Sequence, residues 1–197
     1  MSLPELFQRT RTQLDLAAGL SDAEPAILPG AGTTLAFSMQ QQKVEFWCWA
    51  AVASSVSRYY APASPWSQCV VANAELGGGP NCCLNQTSPF CNQMRTLESP
   101  LRLTGNLAAN GVKDGPATPE QVRAQIRDAR RPIGCGIRWA DLRGHFVVIH
   151  GVSIDANGVI WVAIADPRYG PSDYPYNAFV TRYRESGQWV VSYATEP

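Results

Sequence analysis

After Pro132 the chain carries five runs rich in β-branched and aromatic residues, at 133–139, 145–154, 159–165, 178–183 and 188–193. Asn157-Gly158 lies between two of them and Ser186-Gly187, a weaker turn signal, between two others. Asn-Gly supplies the positive φ angles of a two-residue hairpin, so neighbouring runs pair antiparallel. The residues before Pro132 instead show helical spacing. Helices first and an antiparallel sheet second define an α+β fold with two segregated halves.

In the first half, Ala51, Val52, Ser55, Val56 and Tyr59 recur at helical spacing from Cys48 to Tyr60, with small residues throughout, which predicts a buried central helix ended by Pro62 and Pro65. A second helix is expected over 66–76, stopped by Gly77-Gly78-Gly79-Pro80, and a short one around 91–98. Thr118-Pro119-Glu120-Gln121 is a helix start: Thr118 caps, Pro119 fits the first turn and Gln121 closes a capping box, with Val122, Ile126 and Ala129 as the inner stripe. Residues 3–18 have a ragged helical period and 19–34, with Pro25, Pro29, Gly30 and Gly32, read as a linker. The expected division is therefore an N-terminal arm or propeptide-like extension over 1–35 and a catalytic-type domain over 36–197.

The chain has 197 residues, enough to bury a sizeable core, and its 16 Lys plus Arg equal its 16 Asp plus Glu. No overall field draws it to nucleic acid or to an anionic membrane. No apolar run approaches the roughly 18 residues of a membrane-spanning helix. The N-terminus lacks a basic segment followed by an apolar one, so no cleavable secretory signal is visible and any export is expected to use another route.

Six cysteines are present, and Cys69, Cys82, Cys83 and Cys91 crowd one loop-rich stretch. Two disulfides, free thiols and a zinc site are the readings open to them, although adjacent Cys82-Cys83 is awkward for zinc. No metal or cofactor is assigned.

Cys48 stands at the predicted start of the central helix, where unpaired backbone N–H groups and the helix dipole favour a thiolate. The two histidines, His145 and His150, fall in one predicted strand at an odd offset and are expected on opposite faces. Gly144 beside His145 leaves room for a substrate backbone, and His150 reads as a packed residue. Asp166 ends the next strand before Pro167, where a carboxylate could accept the imidazole N–H. Gln42 could donate its amide to an oxyanion. Trp47 and Trp49 flank Cys48 as candidate substrate contacts, with Trp139 and Tyr169 as further cleft-lining candidates.

Gln42-x5-Cys48-Trp49-Ala50-Ala51, then Gly144-His145-Phe146-Val147-Val148 and Asp166-Pro167, resembles the papain-like cysteine peptidases, and within them a compact bacterial branch that includes effectors of plant pathogens. The similarity spans roughly residues 38–167. It implies a helical lobe and a twisted antiparallel lobe with the cleft between. It further implies that Cys48 attacks an amide carbonyl of a protein or peptide substrate, His145 shuttles the proton and Asp166 orients His145. Gln42 and the Cys48 N–H would form the oxyanion hole. The effector branch implies secretion by a non-classical route, with the N-terminal arm serving a partner or delivery apparatus.

Two alternatives use the same residues. Transglutaminase-like acyltransferases and cell-wall amidases share the order of Cys, His and Asp, and differ in which acceptor reaches the thioester. An inactive peptidase-like binding module is the other.

Overall fold

A computed structural model describes residues 28–197 except residue 78; the expected helix over 3–18 lies outside the described residues. A seven-stranded antiparallel sheet runs in the order β2-β7-β3-β4-β5-β6. Its members are β2 (Leu107–Asp114), β3 (Ile133–Arg138), β4 (Gly144–Ile154), β5 (Ile160–Asp166), β6 (Gly170–Pro175) and β7 (Gln188–Thr195). β1 (Ala31–Thr34) pairs with β4 from Ala31 opposite Ile154 to Thr34 opposite Gly151. β5 holds the other side of β4 there, so β1 extends the row that β3 begins. The end of the expected linker is thus sheet.

The helices are α1 (Cys48–Tyr60), α2 (Gln68–Leu76), α3 (Glu98–Leu103), α4 (Pro119–Arg123, continuing as a π turn to Asp128) and α5 (Tyr176–Arg182). Among the described residues no helix is long and apolar enough to cross a membrane. α1 is buried from Cys48 to Ser57 because Ala50, Ala51 and Ala53 let neighbours approach while Trp49, Val52 and Val56 fill the space between helices and sheet. Each large apolar side chain buried in this way contributes about 2 kcal/mol. Buried Ser55 stays satisfied, donating to the Ala51 carbonyl at 2.6 Å and accepting from Gln40 N–H at 2.9 Å.

The Thr118 capping box forms with both reciprocal bonds, but Ala129, expected on the inner stripe, is exposed because the π turn shifts the phase after Ala124. Three other expectations are corrected. The helix expected at 91–98 begins only at Glu98, since disulfides fix the segment before it in an irregular path. The run 178–183 is not a strand but α5, whose Phe179 packs on Tyr183 and Trp189; tertiary packing overrides the β propensity of its aromatic and branched residues. Ser186-Gly187 therefore closes a Tyr183–Gly187 bridge between helix and strand, not a two-strand hairpin.

Candidate active site

Cys48 is the first residue of α1, preceded by Trp47 at the cap position. The segment before it is held by the disulfide-bonded loop. Trp47 donates its indole N–H to the Cys91 carbonyl at 2.7 Å, Trp49 to the Gln93 carbonyl at 3.0 Å, and Phe46 its backbone N–H to Asn92 Oδ1 at 3.0 Å. Cys69 pairs with Cys83 and Cys82 with Cys91, so of the readings open to these four cysteines the structure contains the two disulfides. Trp47 is fully buried and does not line the cleft, which removes it as a substrate contact; its rigid ring instead locks α1 to the loop.

His145 sits on β4 opposite Ile137 of β3. Its Nε2 meets Asp166 Oδ1 at 2.9 Å, which leaves the other ring nitrogen free on the side of Cys48, whose sulfur is near enough to raise the pKa of the ring. Asp166, the last residue of β5, is nearly buried and fully engaged. Its Oδ1 also accepts the backbone N–H groups of Arg168 at 2.7 Å and Tyr169 at 3.0 Å, while Oδ2 accepts the hydroxyl of Tyr183 at 2.8 Å. A buried carboxylate with this many donors is stabilised as the anion.

The electrostatics follow. Burial alone would lower the His145 pKa, but its bonds to Asp166 and Cys48 and the charge of both outweigh that and raise it to about 9. Burial likewise pushes Asp166 up, and the hydrogen bond and charge of His145 with the two backbone N–H groups bring it below its ordinary value. Burial beside the Asp166 charge pushes Tyr183 well above the usual phenol range, so it stays a donor. Trp139 stacks on His145 with centroids 6.2 Å apart and Tyr169 meets it edge-on at 6.0 Å, which limits the ring's rotation and excludes water.

These residues form the floor of a cleft of about 980 Å³ between the helical half and the sheet, a size that suits a peptide segment. Gly144, Trp49, Trp139 and Tyr169 are among the residues lining it. Gln42 is not. Its Nε2 donates to the carbonyls of Val44 at 3.1 Å and Glu45 at 2.6 Å, and its Oε1 is buried without a partner among the described residues. Its backbone N–H reaches Pro167 O at 2.8 Å, which ties the segment before α1 to the turn after Asp166.

His150 stands apart. β4 and β5 slip register between Ile149 and Gly151, so His150 occupies a bulge and strict face alternation, on which opposite faces were expected, is lost. It packs 6.0 Å from the Phe37 ring, and burial lowers its pKa. Sequence reasoning did not find Tyr183, because a Tyr at the end of an expected strand carries no signal for a carboxylate 17 residues earlier.

A family model described as papain-like cysteine protease AvrRpt2 matches residues 31–184. The chain belongs to the AvrRpt2 family of papain-like cysteine proteases. It is accordingly a cysteine peptidase, and the two-lobed α+β architecture is that of a papain-like enzyme. The ragweed pollen allergen Amb a 11, a cysteine protease solved in its proform, superposes with a TM-score of 0.50 at 12% identity, covering 89% of this AvrRpt2-family chain and 61% of that one. A double glycine motif protease from an AMS/PCAT transporter, solved with a leader peptide, gives 0.46 at 19% identity over 87% and 99% of the two chains. The Pseudomonas avirulence protein AvrPphB gives 0.37 at 13% identity over 82% and 98%. No curated protein matches the chain.

Proposed function

We propose that Cys48 is the nucleophile of this peptidase, that His145 is its proton carrier and that Asp166 orients His145. One observation carries the reading: Cys48 shares the lining of an open cleft with a single imidazole, which is hydrogen-bonded to the buried Asp166 carboxylate and whose pKa is raised by both groups. His145, held protonated, is the acid that the departing amine needs, and the thiolate form of Cys48 is the nucleophile. The thiolate attacks the scissile carbonyl carbon, and the oxyanion meets the Cys48 backbone N–H, one of the first-turn donors that have no intrahelical acceptor. Gln42 joins it by exchanging its two turn carbonyls for the oxyanion. His145 gives its proton to the departing amine as the C–N bond breaks, leaving a thioester. Water attacks the thioester, His145 takes back a proton, and the acid product leaves with Cys48 again a thiolate. The substrate is a protein or peptide lying along Gly144, with Trp49 held beneath the cleft surface. The effector-like reading adds secretion.

The experiment is labelling with an electrophilic epoxide probe beside turnover of a casein-type substrate. Cys48 is expected to react faster than a free thiol, and Cys48→Ala to lose both labelling and turnover with its circular dichroism unchanged. Turnover that survives in Cys48→Ala removes this nucleophile from the scheme.

A further inference from the structure

Four arginines line the cleft, Arg95, Arg143, Arg168 and Arg184, against only Glu45 and Asp141, in a chain whose total charges balance. The excess is localised. Arg143 is matched by Asp141, Nε to Oδ2 at 2.7 Å. On the helical wall Arg95 has Glu45 as its counterpart in sign. That leaves Arg168 and Arg184, neither in an ion pair with any described residue, and both set against one ring. Their guanidinium carbons lie 5.5 Å and 4.3 Å from the centroid of Tyr169. Nε of Arg184 is buried without a hydrogen-bond partner among the described residues. Its one side-chain bond is to the Tyr169 carbonyl at 3.3 Å. The charge of Asp166 stabilises the Arg184 cation from a distance, but both of its oxygens already accept bonds from His145, Tyr183 and the turn amides, and it forms no ion pair with either arginine.

A guanidinium that is partly desolvated and lacks an anion is a binding group for a carboxylate. The Tyr169 ring is 6.0 Å from the His145 ring and 4.3 Å from the Arg184 guanidinium, so Arg184 is no more than about 10 Å from the His145 ring, or about three residues of extended chain. Resting on the peptidase reading above, we infer that the substrate is a peptide with an Asp or Glu within three residues of the scissile bond, its carboxylate held between Arg168 and Arg184. Ordinary stacking of arginine on tyrosine accounts for the position of the cations but leaves the Arg184 Nε bare.

A matched pair of fluorogenic peptides, one with Asp beside the cleaved bond and one with Asn in its place, tests this. The Asp peptide is expected to have a kcat/KM about tenfold higher, the scale of a screened charge pair at a partly desolvated site. Raising salt from about 0.05 M to about 0.5 M should shrink that ratio, because the Debye length falls several-fold. Arg168→Glu with Arg184→Glu should invert it, and Arg168→Glu alone should reduce it if the double variant folds poorly, since Arg168 is exposed. Equal kcat/KM for the two peptides, or a ratio that Arg168→Glu leaves intact, overturns the inference while the peptidase stands. Binding of the same peptides to Cys48→Ala protein, read by fluorescence anisotropy, reports on the carboxylate site even if no peptide is turned over. Tighter binding of the Asp peptide there supports the inference, and equal affinities overturn it.

Discussion

The hydroxyl of Tyr183 donates to Oδ2 of Asp166 at 2.8 Å, on the opposite side of the carboxylate from His145. The ring of Tyr183 in turn stacks on Trp139, which stacks on His145. Carboxylate, phenol and imidazole thus form one closed packing unit whose parts come from β5, the end of α5 and β4.

Removing that hydroxyl while keeping the ring isolates its effect. Tyr183→Phe is expected to lower kcat about tenfold, the kinetic equivalent of about 1.5 kcal/mol for a hydrogen bond to a charged group, with KM nearly unchanged. Steady-state kinetics on a peptide substrate check it. A rise in KM with kcat intact would assign Tyr183 to substrate binding instead.

The raised pKa of His145 sets the alkaline behaviour. Imidazolium persists until about pH 9, so kcat/KM should hold to that pH and fall above it. Asp166→Asn removes the partner that raises it, so the alkaline limb moves to lower pH and the plateau drops. The signs for stability follow from linkage. His145 is raised on folding, so its contribution is complete below its unfolded value near 6.5 and is lost as pH rises through about 9. Asp166 is lowered, so its contribution is complete above its unfolded value near 3.9 and is lost as pH falls through its depressed folded value. Chemical denaturation across pH reads both, and a stability that stays flat between pH 7 and about 10 would contradict the raised His145.

Loss of the Cys82–Cys91 bond frees the loop that grips Phe46, Trp47 and Trp49. Replacing both cysteines by alanine is expected to destabilise the protein by about 2.5 kcal/mol from chain entropy across a separation of 9 residues, and to slow iodoacetamide labelling of Cys48. Urea unfolding and labelling rates measure the two effects. The same replacement at Cys69 and Cys83 should destabilise with a smaller effect on labelling, because the hydrogen bonds from Phe46, Trp47 and Trp49 go to residues 91–93 beside the other disulfide.

Gln42→Ala separates two roles for one side chain. A donor that turns to the oxyanion is worth about 100-fold in kcat, and its loss should leave Cys48 labelling by a small alkylating reagent unchanged. If kcat holds and only thermal stability falls, the amide serves the 42–45 turn and nothing else.

Much of this site was legible in the chain because its parts are local events: a helix start places Cys48, a strand end places Asp166, and a hairpin aligns β4 with β5. What sequence hid was non-local. β6 reads Gly-Pro-Ser-Asp-Tyr-Pro, a loop by composition, and is a strand only because it sits at the sheet edge, where a proline needs no ladder partner for its nitrogen. β2 has few β-branched residues and an Asn110-Gly111 break, and its pairing with β7 is irregular at that point. Tyr183 and Arg184 reach the site only through the fold of α5.

The amides of Arg168 and Tyr169 hold the Asp166 carboxylate, while their side chains face the cleft. Backbone and side chain of the same two positions therefore carry separate duties. On the reading proposed above, exchange of the Arg168 side chain can retune which sequences are cut while the Asp166 hydrogen bonds stay in place. Exchange of Tyr169 would also release the His145 ring, and an insertion between 166 and 169 would move backbone and side chains at once. Diversification of this enzyme by point substitution is open at that turn, and diversification by length change is closed.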